Sequence, residues 1–175
     1  MKVLDFGCGR DKYQASEGVY VTGLDKIDYA GVDVVHDVER KARLPFKDNE
    51  FDLIFSRNSM EHVNASAFNS LESELCRVCK PDGKIVVMVP HYTTQGAFTY
   101  PHKSYFTIES YEPFLHDFKF TVLKRRLTFG WYLKPVEWLA NLSPRLYEKF
   151  FAFIIPVGGL HFELQPTKSW KQGNY

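Results

Sequence analysis

The sequence has too few cysteines and too little excess charge for several classes of protein. Its 175 residues include three cysteines and carry a formal net charge of +1 at pH 7. An odd and small number of cysteines is typical of reduced thiols, so we expect a cytoplasmic protein without a disulfide framework. Mixed charges near neutrality argue against a broad nucleic-acid-binding face, although a local basic patch at residues 124–126 stays open.

Long apolar runs, internal repeats and low-complexity linkers are also missing. The longest apolar stretch, residues 150–160, is too short to span a bilayer and contains Pro156, Gly158 and Gly159. We therefore expect no transmembrane segment and no signal peptide. The continuous alternation of short strands and helices predicts a single domain over residues 1–175.

The first 25 residues hold the most informative pattern. An apolar strand begins at Val3 and ends in Asp5-Phe6-Gly7-Cys8-Gly9, and a second strand over residues 19–24 ends in Asp25. We expect a glycine turn and a short helix between them, as in a nucleotide-binding half-fold. Glycine permits a sharp bend and close approach of a ligand, and Asp25 is placed to accept hydrogen bonds from two ribose hydroxyls.

A third glycine is missing from this turn. A dinucleotide fingerprint reads G-x-G-x-x-G and seats a pyrophosphate on a helix N-terminus, whereas Arg10, Asp11 and Lys12 follow Gly9 here. The charge of Asp5 beside the turn suits a ligand with ammonium and sulfonium groups better than a pyrophosphate. An NAD-dependent oxidoreductase is therefore disfavoured, and an ordinary tight turn remains the alternative to a cofactor site.

Later segments extend the pattern. Residues 32–37 predict a third strand ending in Asp37, residues 44–56 a turn and a buried strand, and residues 84–90 a fifth strand after a helix. The successive patterns acid-x-Gly-x-Gly, L-P-F…D-N-x-F-D-L-I, M-E-H-V and R-V-C-K-P-D-G-K-I-V-V-M-V-P resemble the class I S-adenosylmethionine-dependent methyltransferases, in a compact type 11-like form. The resemblance covers roughly residues 1–115, and Asp11 stands where that family has its third glycine.

The resemblance implies an α/β fold with a doubly wound, mainly parallel, seven-stranded Rossmann-like sheet and an antiparallel last strand. Residues 1–90 would be the cofactor-binding half, and residues 91–175 the lid and substrate half. Residues 118–129 and 159–166 are expected to pair antiparallel at one edge. Two helices over residues 135–140 and 144–155 each begin near a proline, with Ser143 as an N-cap. The N-terminal helix common in relatives is expected to be missing.

The resemblance also implies S-adenosyl-L-methionine as the cofactor, bound at the carboxyl ends of the parallel strands. Asp25 would hold the ribose hydroxyls, and Asp37 with the backbone of Val38 would read the adenine. The backbone at the glycines would contact the methionyl and ribose parts, and the carbonyl of Ser56 would meet the methionyl ammonium. The full set of expected cofactor contacts is Asp5, Gly7, Cys8, Gly9, Asp25, Lys26, Asp37, Val38 and Ser56.

The acceptor side is expected beyond the fifth strand, in a polar and aromatic loop over residues 93–106. His91 and His102 are the candidate catalytic bases because histidine exchanges protons near neutral pH, with plain lid structure as the alternative. The candidate substrate contacts are Asn58, His62, Tyr92 and Tyr105. For His62 a packing role beside the loop is the favoured alternative.

Neither a metal centre nor a covalent nucleophile is expected. The histidines and acids lack the close or paired spacing of metal ligands, and Cys76-x-x-Cys79 has no second pair, so its thiols should pack in a helix. A nucleophile elbow would need G-x-S-x-G, which Gly7-Cys8-Gly9 does not supply.

Aromatic and apolar residues are frequent from Trp131 to Phe153. We expect them to form a core between the last helices and the sheet, since such area is costly to leave in water. An acceptor pocket, a dimer face and a membrane-surface patch are the alternatives. The side chains expected to be buried are Trp138, Leu139, Leu142, Leu146, Phe150 and Phe153.

These patterns together predict a methyltransferase that uses S-adenosylmethionine and acts on a small-molecule or lipid-like acceptor. The alternative function is a non-catalytic S-adenosylmethionine-binding subunit with a regulatory or partner role. A homodimer is compatible with either function.

Overall fold

A computed structural model describes residues 1–110 and 120–167. The described strands are β1 (Lys2–Phe6), β2 (Tyr20–Asp25), β3 (Val34–Val35), β4 (Phe51–Arg57), β5 (Cys79–Pro90), β6 (Phe120–Thr128) and β7 (Gly159–Pro166). The described α-helices are α1 (Ala65–Val78), α2 (Lys134–Ala140) and α3 (Pro144–Phe150). Short 3-10 helices occupy Met60–His62, Gln95–Phe98 and Trp131–Leu133. The expected start of the sixth strand at residues 118–119 lies outside the described residues.

The strands form one sheet in the order β3-β2-β1-β4-β5-β7-β6. Strands β1 to β5 pair in parallel, and β7 lies antiparallel between β5 and β6. This arrangement confirms the expected α/β fold and the antiparallel last strand. None of the helices among the described residues is long and apolar enough to cross a membrane.

The strand order reverses beside β1. From β1 the chain moves outward to β2 and β3, and it then returns to place β4 on the other side of β1. In open α/β sheets such a reversal leaves a crevice beyond the carboxyl ends of the two central strands. The fold therefore opens a cleft where the chain leaves β1 and β4.

Helix α1 covers one face of the sheet. Its buried residues Phe68, Leu71, Leu75 and Val78 recur at intervals of three and four, which gives the helix one apolar stripe. They pack in a core cluster with sheet residues such as Ile54. Burial of each of these side chains stabilises the fold by about 1.5–3 kcal/mol before entropy is counted.

The expected helix between the first two strands is absent. Residues 10–19 form turns and irregular backbone between Gly9 and β2. The segment offers no apolar stripe of helical spacing, and ten residues are too few for a helix plus the two loops that would join it to the strands. Its path is instead fixed by side chains, among them Lys12, whose Nζ lies 2.8 Å from Asp33 Oδ2.

Several element boundaries also differ from the expected ones. Strand β3 is only two residues long, and β5 begins at Cys79, directly after α1. Helix α3 ends at Phe150, and Ser143 occupies its N-cap position without a capping hydrogen bond from the side chain. Local propensity does not set these ends, because strand pairing and packing against the sheet override it.

The C-terminal helices correct the expectation of a buried aromatic core. Their inward contacts come from small or partly buried residues such as Val136, Ala140 and Tyr147, because each helix has only seven residues and turns a narrow stripe to the sheet. Large side chains point outward and form what we name the apolar face: Trp131, Tyr132, Trp138, Leu139, Leu142, Leu146, Phe150, Phe151, Phe153 and Ile154. The six residues that were expected to be buried all belong to it.

Strand β7 is fixed into the sheet by charge as well as by packing. The carboxylate of Glu163 lies 3.0 Å from Lys84 on β5 and 3.2 Å from Lys124 on β6. Hydrogen bonds from Lys84 first and Lys124 next lower the pKa of Glu163 to about 2. Phe162 and Leu164 on the same strand are buried in the core.

This ion pair predicts an acid-dependent loss of stability. Because the folded protein depresses the pKa of Glu163 from its ordinary 4.5 to about 2, its contribution is present above pH 4.5 and is lost as pH falls through that window. We expect Glu163→Gln to remove this part of the pH dependence. Chemical unfolding at several pH values measures it, and parallel loss of stability in both proteins below pH 4.5 would refute the assignment.

Candidate active site

A cleft of about 340 Å³ opens at the carboxyl ends of β1, β2 and β4. Its wall includes the glycine turn, the end of β2, the segment after β3 and the start of the 3-10 helix after β4. The lining residues are Phe6, Gly7, Gly9, Leu24, Asp25, Lys26, Ile27, Tyr29, His36, Asp37, Val38, Glu39, Asn58, Ser59, His62, Val63 and Pro101.

The glycine turn approaches both neighbouring strands closely. Gly7 and Cys8 donate backbone hydrogen bonds of 2.7 and 3.1 Å to the carbonyl of Leu24. Gly7 has φ +70°, and a Cβ there would lie 1.8 Å from the Oγ of Ser59. Gly9 also has a positive φ, of +55°, but a Cβ there would meet no heavy atom within 4 Å. Gly7 is therefore required both for its backbone conformation and for contact with the chain beyond β4.

Two acidic side chains stabilise the glycine turn. The carboxylate of Asp5 accepts a 2.6 Å hydrogen bond from the amide of Tyr13, and burial raises its pKa while that amide and Arg57 oppose the rise. Asp11, at the position of the missing third glycine, pairs with Arg57 at 2.6 Å. The altered residue thus connects the turn to the end of β4.

Asp25 stands at the end of β2 and lines the cleft. Its Oδ2 accepts a 2.9 Å hydrogen bond from the amide of Gly9, and its Oδ1 accepts one of 2.9 Å from the amide of Ile27. Each carboxylate oxygen can accept a second hydrogen bond, so the side chain can shape the turn and still bind a hydroxyl.

The wall beyond β3 is connected to the loop that follows β5. Asp37 accepts a 3.0 Å hydrogen bond from the amide of Glu39, which orders the turn at the cleft. Glu39 in turn pairs with Lys103 at 2.8 Å and accepts from the amide of Asn64. The hydrogen bond from Lys103 is the main cause of the lowered pKa of Glu39. This contact holds the loop against the rim of the cleft.

A second cleft, of about 420 Å³, lies beside the first at the ends of β4, β5 and β6 and the start of β7. Asn58 lines both clefts. It has φ +49°, an uncommon conformation for a residue other than glycine, and its amide donates to the carbonyl of Met88. The other lining residues are Arg57, Met88, Val89, Pro90, Thr94, Gly96, Thr128, Phe129, Gly130, Gly158, Gly159 and Leu160.

A third feature is a cluster of Glu61, His62 and His102 at the edge of the first cleft. Glu61 is 1% exposed, and burial raises its pKa, while its own amide and His102 oppose the rise. The rings of His62 and His102 meet edge to face with centroids 4.7 Å apart. Burial first, and His102 next, lower the pKa of His62. This cluster joins the helix after β4 to the loop after β5.

The first cleft collects many of the residues expected from the sequence. Asp5, Cys8 and Ser56 are buried instead and are absent from the lining; burial raises the pKa of the Cys8 thiol to about 11. The expected residues that do line the cleft are Gly7, Gly9, Asp25, Lys26, Asp37, Val38, Asn58 and His62.

The residues expected on the acceptor side are dispersed. His91 is 0% exposed, with its ring nitrogens 2.7 Å from Thr93 Oγ1 and 2.8 Å from Glu148 Oε1, and it lines neither cleft. The expected proton exchange between His91 and a substrate stays a prediction, and the burial of the ring favours the alternative of plain lid structure. Tyr92 packs against Phe153. His102 belongs to the cluster described above, and the exposed ring of Tyr105 contacts Phe98.

Sequence reasoning missed several residues of the lining. Ser59 enters through its contact with Gly7, and Pro101 enters because the loop after β5 folds back over the cleft. Ile27 and Tyr29 follow Asp25 closely, and their position just beyond a strand end is the signal that could have found them. The return of the loop depends on a long-range contact that leaves no local signal.

Comparison with known proteins finds the same fold in solved methyltransferases and a family model that matches part of the chain. Residues 4–87 match the family model described as a methyltransferase domain. A solved S-adenosylmethionine-dependent methyltransferase from Archaeoglobus fulgidus superposes with a TM-score of 0.68 at 18% identity, covering 94% of this chain and 85% of that one. The chain therefore shares the fold of that solved methyltransferase, and residues 4–87 are similar to the methyltransferase-domain family.

Two curated relatives show sequence similarity over parts of the chain. A malonyl-acyl-carrier-protein O-methyltransferase from Buchnera aphidicola is 34% identical over 123 residues, which are 63% of this chain and 47% of that protein. A phosphoethanolamine N-methyltransferase from Triticum aestivum is 32% identical over 101 residues, 49% of this chain and 20% of that protein. The chain thus spans about half or less of the length of these relatives.

The contact at Gly7 generates a stability prediction. Gly7→Ala should lower the free energy of unfolding more than Gly9→Ala, because both lose a left-handed glycine, worth about 1–2 kcal/mol, but only the first meets Ser59. Thermal or denaturant unfolding of the two variants measures the difference.

A third variant isolates the steric part. In Gly7→Ala/Ser59→Gly the obstructing hydroxymethyl group is gone, so the double variant should recover stability relative to Gly7→Ala. Equal destabilisation by Gly7→Ala and Gly9→Ala would show that the close approach to Ser59 is not a constraint.

Proposed function

We propose that the chain binds S-adenosylmethionine in the first cleft and transfers its methyl group to a small-molecule or lipid-like acceptor in the second. The observation that carries this proposal is the position of Asn58, which lines both clefts at the carboxyl edge of the sheet. A donor in one cleft and an acceptor in the other would meet at this residue. The similarity of residues 4–87 to the methyltransferase-domain model supports the choice of cofactor.

The first cleft offers a partner for each part of the cofactor. Asp25 would accept hydrogen bonds from the ribose hydroxyls, since each of its oxygens has spare capacity. Asp37 and the backbone of Val38 would meet the adenine edge on the opposite wall. The backbone at Gly7 and Gly9 would lie against the methionyl and ribose parts, where side chains would obstruct it.

Methyl transfer from S-adenosylmethionine requires mainly that the donor and the acceptor are aligned. A methyl on a sulfonium is already activated, so transfer is an in-line displacement that the protein assists by holding donor and acceptor in contact and by excluding water. The loop after β5, which Lys103 and Glu39 hold at the rim, would limit access of water to the cleft. A base is needed only where the acceptor must lose a proton.

The acceptor class follows from the second cleft and its surroundings. Arg57 and Thr94 are polar, whereas Met88, Phe129 and Leu160 are apolar, a lining suited to an acceptor with a polar group on an apolar body. The names of the relatives describe action on malonyl-acyl-carrier protein and on phosphoethanolamine, both of which are small or carrier-bound acceptors. His62 lines the first cleft only, so in this arrangement it would lie on the cofactor side of Asn58.

The remaining surface supports two further parts of the proposal. Cys8, Cys76 and Cys79 form no disulfide, which supports a cytoplasmic setting. The apolar face contains ten exposed large side chains, so it would suit a second copy in a homodimer. Light scattering of the purified chain measures that association.

Replacement of Asp25 tests the cofactor site. Asp25→Ala should weaken S-adenosylmethionine binding by about 2–4 kcal/mol, since hydrogen bonds to a charged acceptor are lost. Asp28→Ala is the matched control, because Asp28 is an exposed acid three residues further along and does not line the cleft. Calorimetry measures both affinities, and unchanged binding in Asp25→Ala would exclude this placement of the ribose.

Transfer itself is tested with a labelled methyl donor and a metabolite extract. We expect label to appear in a small or lipid-soluble product, with inhibition by S-adenosylhomocysteine. Binding of the donor without any transfer would favour the alternative, a non-catalytic S-adenosylmethionine-binding subunit. Tight binding of NAD with no binding of S-adenosylmethionine would overturn the proposal altogether.

A further inference from the structure

We propose that Glu61, His62 and His102 form a binding site for a divalent transition metal ion of the zinc class. One ligand atom from each residue lies within 4.8 Å of the other two. A carboxylate with two imidazoles is a donor set that zinc and its neighbours accept readily. The site is distinct from the groups proposed to hold the cofactor.

The spacing of the ligand atoms is close to what a metal needs. Four ligands at about 2.0 Å in a tetrahedron stand about 3.3 Å from one another. The observed limit of 4.8 Å is wider by an amount that side-chain rotation can close.

Glu61 supplies an electrostatic reason for a cation. The residue is 1% exposed, and within residues 1–110 and 120–167 neither oxygen of its carboxylate has a hydrogen-bond partner on another residue; Nε2 of His102 lies 4.0 Å from Oε1. An unpaired buried carboxylate is costly and is normally compensated by a positive group. Lys103, the lysine next to His102 in sequence, is paired with Glu39 at 2.8 Å and so leaves that compensation to another cation.

His102 is oriented as a metal ligand. Its Nδ1 lies 3.1 Å from the carbonyl oxygen of Ala97, and because a carbonyl can only accept, Nδ1 carries the hydrogen. In the neutral form of the ring the lone pair is then on Nε2, which lies 4.0 Å from Oε1 of Glu61. In that form two acceptors face each other across a gap that a cation fits. A second hydrogen bond of this kind fixes the tautomer of most metal-bound histidines.

The backbone around the cluster is already fixed. The amides of Lys103 and Ser104 donate hydrogen bonds of 2.7 and 3.1 Å to the carbonyl of Glu61. These bonds hold His102 beside Glu61 before any ion binds, which lowers the entropic cost of assembling the site. A metal would then connect the loop after β5 to the helix after β4.

The placement suggests what the metal would do. Three protein ligands leave a coordination position for water or for an oxygen or nitrogen of a ligand, the usual arrangement of reactive zinc sites. His62 lines the first cleft, so this position would be reached from the cleft. The ion would thereby lie on the cofactor side of the site and would also stabilise the closed loop.

Titration with Co²⁺ tests the site without depending on enzymatic activity. Metal-free full-length protein should bind one Co²⁺ per chain, with visible d–d absorption, and Zn²⁺ should displace it. Glu61→Gln and His102→Gln should weaken binding by at least about 10-fold, as is usual when groups of a metal site are removed. Binding of Zn²⁺ should also raise the melting temperature of the unsubstituted protein.

The chain offers matched controls. His161 also faces a glutamate, with its Nε2 3.3 Å from Glu163 Oε1, but it is not part of a three-ligand group, so His161→Gln should bind Co²⁺ normally. Cys76→Ser/Cys79→Ser should also retain binding. The Co²⁺ complex of the unsubstituted protein should lack the near-ultraviolet charge-transfer band of a cobalt–thiolate bond. A cooperative melt without metal establishes that each variant is folded.

Three results would overturn the proposal. The first is no uptake of Co²⁺ or Zn²⁺ by the unsubstituted protein, which would leave a proton as the cation of the cluster. The second is undiminished uptake by folded Glu61→Gln and His102→Gln. The third is a cobalt–thiolate band in the unsubstituted protein that is absent from Cys76→Ser/Cys79→Ser. If a variant does not fold, His62→Gln and the zinc-dependent melting of the unsubstituted protein decide the question.

Discussion

The close contact between Gly7 and Ser59 is the constraint on which the rest of the site depends. It places the chain leaving β1 against the chain leaving β4, at the point where the strand order of the sheet reverses. Only a residue without a Cβ can stand at Gly7, with its φ of +70° and its distance from the serine. The cleft for the proposed cofactor forms here because the segments that leave β1 and β4 lie against each other at the carboxyl edge of the sheet.

Around that contact, charged side chains replace the helix that would ordinarily follow the glycine turn. Asp5 holds the backbone at Tyr13, and the pair formed by Asp11 and Arg57 joins the turn to β4. The turn thereby keeps its shape without a helix behind it. A charged side chain also joins strands at the other edge of the sheet, where Glu163 on β7 pairs with Lys84 on β5 and with Lys124 on β6.

Local sequence patterns predicted the parts of the molecule that depend on neighbouring residues. The strands, the glycine turn and the acid at Asp25 were predicted because strand ends and glycines carry a local signal. The pair between Asp11 and Arg57 was not, because the two residues lie 46 positions apart. The apolar face was misjudged because composition reports how much apolar area a segment has, and packing decides which way it points. The position of His91 just after β5 predicts a side chain that a substrate could reach, whereas the structure buries it.

A crystal structure of the chain with S-adenosylhomocysteine tests the central claim most directly, since that molecule is the cofactor after it has lost its methyl group. The account predicts the ribose at Asp25, the adenine between Asp37 and Val38, and the sulfur directed toward Asn58 and the second cleft. A ligand bound elsewhere on the protein, or one whose sulfur points away from the second cleft, would contradict the account.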